Sequence, residues 1–254
     1  MIGTLSIVGL GPGPARWLTP EASEALCAAT DIVGYATYVG RVSERPGQVR
    51  HVSDNGAEIE RARHALSLAI SGRQVVIVSG GDPGIFAMAA AVFEAIETGP
   101  EIWRALDVKV VPGITAMLAA AARMGAPLGS DFCVINLSDN LKPWPLIEKR
   151  LALAAEADFV IVLYNPASRA RPDQAKNAFA HLRKYRAATT PVIFATAIGR
   201  EDEQVALSCL GEADPVPVDM RTLIIIGSSA TRIVPRANGA YWVYSPRKTE
   251  RPAC

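Results

Sequence analysis

Short aliphatic runs alternate along the chain with longer stretches whose apolar residues recur at helical spacing. Leu5–Val8, Val75–Val78, Val108–Val111, Phe159–Leu163, Val192–Ala195 and Thr222–Ile226 are four to five residues long and rich in Val and Ile, which predicts strands. Runs such as Val75-Val76-Ile77-Val78 and Leu223-Ile224-Ile225-Ile226 have no polar alternation, as expected of strands covered on both faces. Helical spacing predicts helices near Thr19–Ala29, Glu58–Ser71, Phe86–Glu97, Thr115–Arg123, Trp144–Ala155 and Arg171–Lys184. The first of these carries a start signal, with Thr19 as N-cap, Pro20 at the first helical position and Glu21 in the first turn.

Strands alternating with helices across short turns predict an α/β chain built of sheets flanked by helices. The Met124-Gly125-Ala126-Pro127-Leu128-Gly129 segment reads as a helix stop and turn, and it divides the chain into an N-terminal α/β domain, 1–124, and a C-terminal α/β domain, 125–254. Two such halves predict an active site in a cleft between them. The Arg247–Cys254 tail, rich in Pro, Arg and Lys, is expected to fray.

Composition narrows the function classes. Half of the 254 residues are hydrophobic and a fifth charged, enough for a substantial core. A net charge of +1 supplies no global basic field for nucleic acid, so any anionic partner must meet a local patch. Cys27, Cys133, Cys209 and Cys254 are scattered without ligand spacing, so neither a disulfide framework nor a protein-held metal is expected. The chain enters its first strand at once, and its most apolar stretch, Ile114–Ala122, is too short to cross a bilayer. A cytoplasmic protein without membrane partners is expected.

Three strands end in turns of small residues. Gly9-Leu10-Gly11-Pro12-Gly13-Pro14 follows the first strand, but the helix waits until Pro20 and the third glycine of a dinucleotide fingerprint is replaced by Pro14. Gly80-Gly81-Asp82-Pro83-Gly84 and Pro112-Gly113-Ile114-Thr115-Ala116 follow two others. Each alone reads equally as turn chemistry or as a place where backbone can approach a ligand, and Thr115 as a helix cap or a ligand-binding hydroxyl. Three in one half favour the ligand.

Val8-Gly9-Leu10-Gly11-Pro12-Gly13, Ser79-Gly80-Gly81-Asp82-Pro83, Val111-Pro112-Gly113-Ile114-Thr115-Ala116 and Leu223-Ile224-Ile225-Ile226-Gly227 together resemble the tetrapyrrole methylase family, the two-domain S-adenosylmethionine-dependent methyltransferases of corrin and siroheme synthesis. The resemblance spans roughly residues 3–232. Gly34-Tyr35-Ala36-Thr37-Tyr38, Leu137-Ser138-Asp139-Asn140-Leu141-Lys142-Pro143-Trp144 and Leu163-Tyr164-Asn165-Pro166-Ala167-Ser168-Arg169 point, within that family, to its ring-contracting branch, which methylates C17 of a precorrin. The resemblance implies cofactor contacts from Gly81, Asp82, Pro83, Ile85, Phe86, Thr115 and Ala116, and from Tyr164, Ala197, Met220, Thr222 and Leu223. It places Gly11, Pro12 and Gly13 toward the tetrapyrrole and favours a homodimer.

A sulfonium methyl is already activated, so its transfer needs proximity and alignment rather than a protein nucleophile or metal. His51, His64 and His181 lie far apart in sequence and read as surface or satisfied histidines. Loss of a ring carbon calls for a proton donor or acceptor, for which Asp139, Tyr38 and Lys142, with Tyr164 and Asp54, are candidates. Asp139 reads equally as a cap for the helix that follows. Arg169 and Arg171 are candidates for the substrate's carboxylates, with Arg16, Arg41 and Lys142 as further cations, whereas Lys176, Arg183, Lys184 and Arg186 read as the solvated face of a helix. A Rossmann enzyme would need an acidic residue ending the second strand, where Asp31 precedes Ile32-Val33 instead. A non-catalytic tetrapyrrole carrier would not need intact turns at Gly81-Asp82-Pro83 and Thr115.

Overall fold

The computed structural model describes residues 2–214 and 216–248. The chain divides into two compact units, Met1–Thr115 and Ala116–Cys254.

The first unit is a parallel five-stranded sheet. Its strands are β1 (Thr4–Gly9), β2 (Asp31–Tyr35), β3 (Val49–Ser53), β4 (Gln74–Ser79) and β5 (Asp107–Val111), in the order β3-β2-β4-β1-β5. Its helices are α1 (Pro20–Ala28), the single turn α2 (Ala36–Val39), α3 (Glu58–Ile70) and α4 (Met88–Thr98). Side chains alternate across each strand. Leu5, Ile7, Val33, Val75 and Ile77 therefore meet α3 and α4 on one face, while Val8, Ile32, Val76 and Val78 meet α1 on the other. In α3 the buried Ala62, Ala65, Leu66 and Ala69 form one stripe, and their small side chains let the helix lie close on the sheet. α1 starts as its sequence predicts: the Thr19 hydroxyl accepts from the Ala22 amide at 3.1 Å, and Pro20 follows.

The second unit opens with α5 (Ala116–Met124) and the short β6 (Gly125–Ala126). Its main sheet combines β7 (Phe132–Asn136), β8 (Val160–Tyr164), β9 (Pro191–Thr196), β10 (Gln204–Cys209) and β11 (Thr222–Ile226) in the order β10-β9-β11-β8-β7. β7 and β8 are parallel, and the pairings of β11 with β8 and β9, and of β9 with β10, are antiparallel. α6 (Trp144–Glu156) and α7 (Gln174–Leu182) cover one face through Ile147, Leu151, Ala178, Phe179 and Leu182. β12 (Arg232–Pro235) and β13 (Tyr241–Tyr244) join β6 in a three-stranded sheet.

The six predicted strands and six predicted helices are present within three residues at each end. The division between the units falls before α5 rather than after it. α5 packs on β6, β11 and β13, so the Met124–Gly129 turn lies inside the second unit. The strand order and the delayed start of α1 also remove the dinucleotide reading, which needs a helix N-terminus at the first glycine turn. Of the tail expected to fray, Thr249–Cys254 lie outside the described residues.

Candidate functional site

In the first unit, register brings the glycine turns to one end of the sheet. Gly9 pairs with Ser79, Val8 with Val111 and Gly34 with Val78. The segments leaving β1, β4, β5 and β2 therefore emerge side by side, at the carboxyl ends of the strands where open α/β sheets bind ligands. They are joined backbone to backbone. Gly11 and Gly81 exchange two hydrogen bonds, of 3.1 and 3.0 Å, each with φ near +66°. A Cβ on Gly113 would lie 2.3 Å from the Gly81 carbonyl oxygen and 2.9 Å from the Gly9 Cα. Only glycine permits this approach.

Side chains lock the arrangement. Asp82 Oδ1 accepts from the Gly84 amide at 2.8 Å and Oδ2 from the Gly113 amide at 3.0 Å. Arg41 donates to the carbonyls of Leu10, Gly11 and Gly13, each at 3.0 Å, which fixes the first glycine loop from below α2. Arg41 thus acts on the protein's own backbone. Gly11 and Pro12 are buried and Gly13 is half-buried. The Tyr38 ring stands over Gly80, 2.6 Å from where a Cβ would be, and meets Tyr35 edge to face at 5.6 Å. Pro83 and Thr115 are buried, Ile85 and Ala116 half-buried, and Phe86 is half exposed with φ +53°.

In the second unit, Thr222 pairs with Thr196, Ile224 with Leu163 and Asn136 with Tyr164. These registers bring Tyr164, Ala197, Met220, Thr222 and Leu223, together with the segment after β7, to one end of that sheet. The Tyr164 hydroxyl accepts from the Met117 amide at 3.1 Å, which satisfies one unpaired donor of the first turn of α5. Ala197 is buried with φ +51°, held by its amide bond to the Arg221 carbonyl at 3.1 Å. The Thr222 hydroxyl lies 2.9 Å from that of Thr196, 3.1 Å from Asp219 Oδ1 and 3.0 Å from the Asp219 amide. Asn136 Oδ1 accepts from the Asn165 side chain at 3.0 Å and the Ser138 amide at 2.8 Å, linking the exits of β7 and β8.

Phe86, Asn165, Ala197 and Asp158 are the non-glycine residues with positive φ among the described residues. The first three follow β4, β8 and β9, beyond the strand ends where the segments above emerge. Such backbone costs about 1–3 kcal/mol per residue and concentrates at functional sites.

The predicted polar residues form a local cluster in the second unit. Arg171 Nη1 meets Asp139 Oδ1 at 3.4 Å, and Asp139 favours the charge on Lys142. Burial and the neighbouring Arg150 outweigh that pull and hold the Lys142 ammonium below the usual lysine range. Asp139 does not cap α6, whose N-cap is Pro143 without a side-chain bond. Asp139 instead faces Arg171. Arg169 is exposed, while Ser168 and Arg171 close a tight turn through paired backbone bonds of 2.9 and 3.0 Å.

One sequence reading needs correction. Arg183 and Arg186 do not form a solvated face. Arg183 donates to the Leu210 carbonyl at 3.0 Å and forms an ion pair with Asp214 at 2.9 Å, whereas Arg186 is buried against Asp158 and the Phe159 carbonyl. Lys176 and Lys184 are exposed as expected. His51 and His64, remote in sequence, are neighbours: His64 Nε2 lies 3.0 Å from His51 Nδ1, and His51 Nε2 lies 2.8 Å from Asp31 Oδ1. No sequence spacing signalled this pair, because it joins a strand to a helix. Among the described residues no group of three or more His, Cys, Asp or Glu side chains is placed to hold a metal ion, and no helix is long and apolar enough to cross a membrane.

Residues 4–214 match the family model described as tetrapyrrole (corrin/porphyrin) methylases. The chain belongs to the tetrapyrrole methylase family. It is 56% identical over 247 residues to a precorrin-3B C(17)-methyltransferase of a Sinorhizobium species, covering 97% of both chains. It is 45% identical to a probable cobalt-factor III C(17)-methyltransferase of Salmonella typhimurium, covering 90% of this chain and 94% of that one. Among solved structures, the methyltransferase CobJ superposes with a TM-score of 0.91 at 48% identity over 96% of this chain and all of that one. A Thermus thermophilus uroporphyrin-III C-methyltransferase crystallised with S-adenosylhomocysteine shares the methylase fold, with a TM-score of 0.68 at 22% identity over 89% of this chain and 97% of that one.

Proposed function

We propose that this tetrapyrrole methylase transfers a methyl group from S-adenosylmethionine to C17 of precorrin-3B, with contraction of the ring to precorrin-4, in cobalamin synthesis. The observation that carries the reading is the 56% identity, over 97% of both chains, to a relative of that activity. The lower identity to the cobalt-factor III relative favours a metal-free precorrin as the substrate.

The residues fit the cofactor. Glycine turns let three loops close up at the strand ends of the first unit, and Phe86 and Met220 hold apolar side chains about half exposed at their respective sheet ends. Gly81, Asp82, Pro83, Ile85, Phe86, Thr115 and Ala116 are the cofactor contacts assigned to the first unit, and Tyr164, Ala197, Met220, Thr222 and Leu223 those assigned to the second. Asp82 does its work through the turns it fixes. When bound there, S-adenosylmethionine would supply an electrophilic methyl for C17, its carbon–sulfur electron pair staying on sulfur as a neutral thioether.

The protein's part is alignment and proton management. Tyr38, held over Gly80, carries a phenol O–H suited to donate a proton. Asp139 and Lys142 are the other acid–base candidates, with Arg171 orienting Asp139. Gly11, Pro12, Gly13, Arg169 and Arg171 are assigned to the tetrapyrrole. The same reading makes the enzyme a cytoplasmic homodimer, and sedimentation velocity checks the subunit number. The deciding experiment is calorimetric titration with S-adenosylhomocysteine and, in parallel, NADH, followed by mass analysis of precorrin-3B turnover. Saturable binding of the thioether alone and a product heavier by one methyl are expected; no binding by folded protein overturns the reading.

A further inference from the structure

A cavity of about 470 Å3 in the first unit is lined by Arg50, His51 and Ser53 of β3 and by Glu60, Arg61 and His64 of α3. Its charge is unbalanced. Arg61 is 5% exposed, yet its guanidinium donates only to neutral acceptors: Ser53 Oγ at 2.8 Å, the Asp54 carbonyl at 2.6 Å and Met88 Sδ at 3.3 Å. Arg50 likewise donates to the carbonyls of Val39 and Val42, at 3.1 and 2.8 Å. Neither arginine pairs with a carboxylate among the described residues. Glu58 on the same helix attracts the Arg61 charge without contacting it, and burial outweighs that attraction. A buried cation with no carboxylate in contact is costly, and a side chain kept only for packing would be better replaced by an apolar one.

The histidines add to the positive wall. Asp31 is buried and already paired with Arg73 at 2.6 Å, with Thr30 and His51 completing its hydrogen bonds. It fixes His51 with Nε2 as donor, leaving Nδ1 to accept from His64 Nε2. In that chain His64 Nδ1 is the remaining site for a proton. Facing the pair are Asp31 and Arg73 on the β2 side, Arg50 on β3, and Glu60 and Arg61 on α3. Glu60 is the one acidic side chain that lines the cavity.

We propose that this cavity is a binding site for a small oxyanion, a carboxylate or a phosphate group, anchored by Arg61 and strengthened when His64 is protonated. The assignment stands apart from methyl transfer and does not rest on it. The test is calorimetry with inorganic phosphate and with propionate at about pH 8, above the usual histidine range, and at a lower pH at which NMR of the imidazole protons shows His64 protonated. Saturable binding is expected, stronger at the lower pH, with shifts at the histidines of the pair. Arg61→Met should weaken it about tenfold, the usual loss for a charge-assisted hydrogen bond. If that variant fails to fold, His64→Gln decides: binding should persist at the higher pH and lose its gain at the lower. No saturable binding by folded wild-type protein, equal affinity in Arg61→Met, or an unchanged gain in His64→Gln overturns the proposal. Repeating the titration with a saturating carboxylate-rich porphyrin separates the sources: lost phosphate binding assigns the site to a tetrapyrrole side chain, and persistent binding to a free anion, and either supports the site.

Discussion

The Asp82 carboxylate accepts the Gly113 amide at 3.0 Å and so ties the turn after β4 to the turn after β5. Its other oxygen holds Gly84. One side chain therefore sets the spacing of two segments assigned to the cofactor. Asp82→Asn keeps the volume but turns one acceptor into a donor facing an N–H. The variant is expected to lose about 1.5–3 kcal/mol, the usual worth of a hydrogen bond to a charged group. Calorimetry should show S-adenosylhomocysteine affinity falling about tenfold with the protein still folded; unchanged affinity would leave Asp82 a turn residue without bearing on the cofactor.

Gly113 tests the close approach itself. A Cβ there meets the Gly81 oxygen at 2.3 Å, backbone that cannot swing aside, whereas a Cβ on Gly56 meets nothing within 4 Å. Gly113→Ala is expected to cost about 2–3 kcal/mol from overpacking. Gly56→Ala, at φ +89°, should cost about 1 kcal/mol from backbone strain alone. Urea unfolding of both variants checks the order. Equal losses would mean that the backbone around Gly113, which has no positive φ, gives way to the Cβ and that the contact does not govern the site.

How much of this was legible in the sequence follows from burial. β1, β4 and β11 are covered on both faces, so their Val/Ile runs announced them. β3 and β10 lie at sheet edges with mixed, half-exposed residues, and β12 is exposed throughout, so no apolar run marked them. The glycine turns were legible as types of residue, and register explains why three turns distant in sequence meet. Arg41 on the glycine loop, Asp31 beneath His51 and Asp158 opposite Arg186 were not legible, because each joins elements whose adjacency exists only in the folded sheet. A run of charges looks alike in sequence whether its residues face water or a buried carboxylate.

The histidine pair carries a pH dependence. Burial, then the neighbouring His51, hold His64 below the usual histidine range, against a weaker pull from Asp31. The unfolded chain therefore takes up a proton before the folded one. This stability contribution is present above about pH 6.5, the unfolded histidine value, and is lost as pH falls through the lower folded value. Asp31 acts in a separate, more acidic window. Burial raises its carboxyl, but hydrogen bonds from Arg73, Thr30 and His51 prevail and hold it below the carboxylate range. Its contribution is present above about pH 3.9 and lost as pH falls through its folded value. Chemical unfolding should show His64→Gln with a flatter stability profile below about pH 6.5 and an unchanged acid limb. A parallel profile in the two proteins would rule out His64 as the titrating group.

Arg169 offers the sharpest separation of substrate from cofactor. It is exposed on the turn that follows Tyr164, whereas Arg171, two residues on, already faces Asp139. Reversing Arg171 would set two acids against each other and confuse electrostatics with a broken loop. Arg169→Glu removes a cation and adds an anion without that clash. If Arg169 meets a carboxylate of the tetrapyrrole, affinity for a carboxylate-rich porphyrin should fall about tenfold at low salt, in line with the worth of a charge-assisted pair. The deficit should shrink as added salt screens an exposed charge. S-adenosylhomocysteine should bind as before, because nothing assigned to it lies on that turn beyond Tyr164. Fluorescence quenching of the porphyrin and calorimetry of the thioether read the two separately. A loss shared equally by both ligands would show that the substitution had disturbed the exit of β8 and would withdraw Arg169 from the substrate site.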